Sequence, residues 1–184
     1  MDGFSAMTRW QKTITTPLYI GCLALAFSLN AAASPDLGAG DLDALFSELP
    51  SHANHAALVE QLGSVNSADI QQSGIGQRVA LVQSGYNQHA SVQQLGDNHS
   101  ARVSQQGEDN LLFLIQSGSL NQLVLQQSGF ANSANVHQDG SANTATIQQQ
   151  GNQNSVVLQQ YGNHHAASIT QYGDQLSVSV RQSQ

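Results

Sequence analysis

The chain has 184 residues, of which 9% are charged and 5% aromatic, and its net charge is −7. A globular enzyme of this size usually carries more charge and more large core residues. After residue 33 there is no lysine and only three arginines (Arg78, Arg102, Arg181), so no basic patch for nucleic acid can form. Gln, Asn, Ser and Gly fill the gap, which is the composition of a β-forming, aggregation-prone polar segment.

The first element is a leader. Arg9 and Lys12 precede the apolar run LYIGCLALAFSL, and Ala31, Ala32 and Ala33 follow it. A basic start, a short apolar run and small residues at the end read as a secretory signal peptide over 1–33, cleaved to leave Ser34. The run is short of the roughly 20 residues that a membrane span needs. Cys22 is the only cysteine and lies inside this leader, so the mature chain is expected to have no disulfide. Residues 34–54, SPDLGAGDLDALFSELPSHAN, form a separate acidic segment. Composition does not distinguish a disordered leader from a targeting piece.

From residue 55 a repeat takes over. Gly63, Gly74, Gly85, Gly96, Gly107, Gly118, Gly129, Gly140, Gly151, Gly162 and Gly173 are 11 apart. Two residues before each lies Gln61, Gln72, Gln83, Gln94, Gln105, Gln116, Gln127, Gln138, Gln149, Gln160 or Gln171, and Gln182 continues the series. Four residues before each glycine is an aliphatic (Val59, Ile70, Leu81, through to Ile169), with Val180 at the same place in the last unit. Two residues earlier again is a smaller apolar residue, often alanine, and two before that a polar residue, often asparagine: Asn66, Asn110, Asn121, Asn132, Asn143, Asn154. The unit is N-x-A-x-V-x-Q-x-G plus two turn residues.

A right-handed coiled coil also has an 11-residue period. Apolar positions two apart share one face of a strand but not of a helix. Each unit is therefore expected to be a strand of about seven residues and a tight turn. One such unit cannot bury its apolar face alone, so units must stack. The predicted fold is all-β: a β-solenoid of 11-residue half-repeats in 22-residue strand-turn-strand coils, able to form amyloid. The coils fall at 55–76, 77–98, 99–120, 121–142, 143–164 and 165–184.

Each position then has a physical task. Aliphatics fill a thin core between two parallel sheets. Glutamine and asparagine share the inward parity, and stacked amides can hydrogen-bond along the stack as ladders. Glycine permits the positive φ of the turn. One strand departs from the pattern: Leu111, Phe113 and Ile115 should point outward, as a tolerated apolar patch or a lateral contact. With no capping helix and no proline from 55 onward, both ends of the stack can template another chain.

No local catalytic motif is present and no cofactor is expected. The calcium-binding nonapeptide of other solenoids is absent. His55, His99 and His165 fall at the asparagine position of non-adjacent coils, where they would not share a metal. A soluble solenoid with a flat binding surface would need a regular outward row, and the outward residues vary too much.

The repeat resembles the curlin repeat of curli subunits, the bacterial extracellular amyloid proteins, over about 55–184. QQYGNHHAASITQYGDQLSVSVRQSQ, residues 159–184, is similar to the C-terminal part of the minor, nucleating subunit. FSELPSHANHAALVEQLG, residues 46–63, resembles its entry into the first repeat. Q-x-G in every half-unit favours the minor subunit over the major one, although a basic final repeat is reduced to Arg181. The resemblance implies fibre formation with itself and with a major subunit. It also implies passage through an outer-membrane secretion pore with accessory factors, for which residues 34–54 would be the targeting piece, and a place in adhesion and biofilm.

Overall fold

A computed structural model of the chain describes residues 22–28 and 55–184. Twelve strands from His55 onward alternate between two sheets, as a period-2 apolar pattern interrupted every 11 residues by a turn requires. Sheet A holds β2 (His55–Ser64), β4 (Gln77–Tyr86), β6 (Ser100–Glu108), β8 (Gln122–Phe130), β10 (Thr144–Asn152) and β12 (Ala166–Tyr172). Sheet B holds β3 (Ser67–Ile75), β5 (His89–Asp97), β7 (Leu111–Ser119), β9 (Ser133–Ser141), β11 (Ser155–Asn163) and β13 (Ser177–Ser183). One strand of each makes a coil, and the whole is the β-solenoid expected from the repeat.

From β2 onward all neighbours within a sheet are parallel, and residue i pairs with residue i+22. Parity explains this register. A slip of one residue would turn every aliphatic outward. The core is one continuous cluster of small and branched residues, including Val79, Leu81, Val103, Leu114, Leu125, Ile147 and Leu158. It is closed by side chains from both sheets. No Asp, Glu or Arg among the described residues is buried.

The strands are longer than the expected seven residues. Most run for nine or ten and continue through the glycine, as Leu111–Ser119 does through Gly118. The glycine keeps its place in the ladder (Gly96↔Gly118↔Gly140) despite its positive φ, so pairing does not stop at the bend. Two residues later comes a left-handed residue. It is Gly76 once and otherwise a residue with a side chain, such as Val65, Asn87, Asn98 or Leu120.

A strand also occurs where none was expected. β1, Cys22–Ser28, pairs in parallel with β2, from Cys22↔His55 to Ser28↔Gln61. It lies inside the apolar run assigned to the leader. In the full chain it occupies the β2 edge that the repeat alone would leave open, because that edge offers an unpaired row of backbone donors and acceptors. The rest of the leader and residues 29–54 lie outside the described residues.

Candidate assembly site

The glutamines form two ladders along the stack. In sheet A, Nε2 of Gln61 donates to Oε1 of Gln83, and the same bond repeats through Gln105, Gln127, Gln149 and Gln171 at 2.6–2.9 Å. In sheet B it runs from Gln72 through Gln94, Gln116, Gln138 and Gln160 to Gln182 at 2.7–2.9 Å. The second N–H of most of these carboxamides crosses to the opposite sheet. Gln127 reaches Leu111 O at 3.1 Å and Gln138 reaches Gln122 O at 3.0 Å. An interior glutamine thus uses both donors and its acceptor while buried, which removes the cost of burying an amide.

The asparagines hold the opposite corner. Asn110 Nδ2 donates to Gln106 O in its own coil (3.0 Å) and to Gly129 O in the next (3.1 Å). Its Oδ1 accepts the backbone N–H of Asn132 at 3.1 Å. Asn66, Asn121 and Asn143 make the same three bonds. Asn132 does so too, and Asn154 makes the two that reach the next coil. Each side chain therefore closes a turn and receives the coil above.

Two members of this column were missed in the asparagine series, although the 11-residue period passes through both. Gln77 and Gln88 are fully buried there. Their Nε2 atoms reach the expected carbonyls, Ser73 and Gly96 for one and Ser84 and Gly107 for the other. Their Oε1 atoms have no partner. The extra methylene carries the carbonyl away from the N–H that asparagine would accept. Gln88→Asn is expected to stabilise the solenoid by about 1 kcal/mol by restoring that bond. A urea midpoint that falls on substitution would show that Gln88 is the better fit.

His99 replaces asparagine in the same column of sheet A. Its Nε2 lies 3.0 Å from Leu95 O, and its Nδ1 accepts the Asn121 N–H at 3.3 Å. Both contacts fit the neutral ring. Burial pushes its pKa below 6.5, against smaller opposing effects from the Leu95 carbonyl and Asp97. The unfolded chain therefore takes up the proton first, and stability falls as pH drops below about 6.5. His99→Asn is expected to flatten that acid limb in pH-dependent urea unfolding. An unchanged limb would assign it to other groups.

His55 and His165 stand in the same column but are separated from His99 by the coils of Gln77 and of Asn121 and Asn143. Among the described residues no group of three His, Cys, Asp or Glu converges on a common point.

The glycine column shows why the coils lie so close. A Cβ on Gly118 would overlap the carbonyl of Gly140, and the same holds for each glycine from Gly63 to Gly151 except Gly76, with the glycine 22 residues on. At Gly173 a Cβ would meet nothing within 4 Å. That corner ends the stack. β12 and β13 are the last strands of their sheets, and Gln171 and Gln182 end the ladders. On the outward face of β7, Leu111 and Phe113 are exposed and Ile115 is half-buried. Their neighbours in register are His89, Ser91 and Gln93 on one side and Ser133, Asn135 and His137 on the other.

A family model, the curlin associated repeat, matches residues 78–107, 121–151, 140–173 and 151–183. Searches of curated proteins and of solved structures return no match.

Proposed function

The chain belongs to the curlin-repeat family, and we propose that it is the minor subunit of a curli-type fibre, the one that nucleates assembly of a major subunit. Family membership makes it a structural subunit of an extracellular fibre that self-assembles at the cell surface. The finer role rests on one observation: both half-coils carry the same corner code. Gln and Gly recur in every strand from β2 to β11, so both sheets present equivalent ladders at the end of the stack.

The ladders also have a direction. Each Nε2 donates toward the C-terminal coil, so Gln171 and Gln182 present amide donors to whatever stacks on that end. The strand edges of β12 and β13 supply matching backbone groups. At the other end, removal of the leader with β1 would uncover β2 beside β3. The aromatic and aliphatic bar of Leu111, Phe113 and Ile115 would serve lateral contact between stacks. Residues 34–54 would address the chain to its secretion pore, and the mature protein would leave the cell unfolded.

Seeding tests the nucleator role. Residues 34–184 are diluted from denaturant into a candidate major subunit from the same cell, and thioflavin T is followed. A substoichiometric dose that abolishes the lag phase supports nucleation. Fibres that form alone and accelerate nothing would make this chain a major-type subunit.

A further inference from the structure

The outward faces of the two sheets differ sharply at the N-terminal coils. On sheet B, outward residues of β3 and β5 such as Asp69, Gln71 and Gln93 are exposed, as expected of a solvated surface. On sheet A the equivalent residues are buried: Ala56, Leu58 and Leu62 on β2, Ala80 and Val82 on β4. They face away from the inter-sheet core and are not members of it. The burial stops abruptly along one column, in which Ala80 is 0% exposed and Val124, two coils further on, 37%.

We propose that this face is the docking surface for an amphipathic helix formed by residues 41–49 of the same chain, DLDALFSEL. Four observations lead to it. Leu42, Leu45, Phe46 and Leu49 are spaced i, i+3, i+4, i+7, a single apolar stripe on a helix. On such a helix Asp41 and Asp43 would sit at the start, where acids are favoured, and Pro50 would end it at Leu49.

The dimensions agree. Nine helical residues extend ~13 Å, and the three strands β2, β4 and β6 span ~10 Å at the usual strand spacing. Ser104 on β6 is the last buried outward residue of the patch. The five residues from Pro50 to Asn54 reach up to ~17 Å, enough to turn back from β2 onto its own face.

Charge agrees as well. Asp41, Asp43 and Glu48 flank the stripe, and residues 34–54 contain no lysine or arginine. Two of the three arginines of the repeat region, Arg78 and Arg102, lie on this face and are engaged in further contacts. Glu60 on β2 shares the face and is only half-buried. Docking would withdraw the apolar face of sheet A from sideways association and leave growth to the ends of the stack.

Thiol labelling tests the proposal in the full chain carrying Cys22→Ser, at concentrations below assembly. Ala80→Cys should react at least about tenfold more slowly than Val124→Cys in the same column. Replacing both Leu45 and Phe46 by aspartate should bring Ala80→Cys to the Val124→Cys rate while the β circular dichroism stays unchanged. Equal rates at the outset would overturn the proposal. So would protection that survives the double substitution, or protection that rises with protein concentration, which would mean a second copy covers the face. None of these outcomes depends on whether the chain nucleates a partner.

Discussion

Gly118→Ala should destabilise the solenoid by about 3 kcal/mol more than Gly173→Ala, read as the difference in urea midpoints below the assembly concentration. Both glycines have positive φ, +103° and +113°, so both substitutions carry a similar backbone strain. Only at Gly118 does the new methyl overlap a backbone carbonyl, that of Gly140, which cannot move without breaking the β7–β9 pairing. Gly173 has open space in front of it. The contrast separates stacking from strain. It also reads out the fibre: if another chain stacks on this end, Gly173→Ala should fold nearly normally yet fail to seed. Equal destabilisation at both positions would mean that the close approach of coils is not what requires glycine.

The second large effect is expected at Gln116. Gln116→Leu fills nearly the same space but orphans two buried groups, the Gln94 Nε2 proton and the Gln138 Oε1, and removes a second, longer bond from the Ser100 carbonyl. At about 1–3 kcal/mol for each buried group left without a partner, the loss should be upward of about 2 kcal/mol. Gln182→Ala, at the half-exposed end of the same ladder, opens the buried Gln160 amide to water and should cost the single chain less than about 1 kcal/mol. Similar losses at the two sites in urea unfolding would show that the ladder contributes little through burial. If the stack continues into the next chain, Gln182→Ala should slow seeding far more than it weakens folding.

Much of this fold was legible because one pattern recurs. A period of 11 with apolar residues two apart specifies strand, parity and coil together, and Gln-x-Gly marks where each strand bends. What the pattern did not reveal depends on single positions. The strands run through their glycines because a positive φ still allows ladder bonds to the next coil. The left-handed residue after each glycine varies from Asn87 and Asn98 to Val65 and Leu120, so residue type gave no signal there. Gln77 and Gln88 look like variable polar residues in sequence, yet they occupy the buried corner with one carbonyl unpaired. The covered face at Ala56, Ala80 and Val82 was hidden for another reason. In the repeat those are outward positions, and their apolar character is visible only when compared with the same positions in later coils.

The equivalence of the half-coils bears on chain length. Because each residue pairs with the one 22 ahead and both sheets use the same corner code, removing a whole coil leaves every remaining bond type in place. Removing half a coil, 11 residues, does so too, since a strand of sheet B becomes a sound strand of sheet A. The outward side chains would register the change most, as all those downstream would appear on the opposite side of the body. Insertion and loss of units can therefore alter this protein in steps of 11 while keeping the backbone ladder and the Gln-x-Gly corner code. The order of its outer surface then distinguishes one arrangement from another.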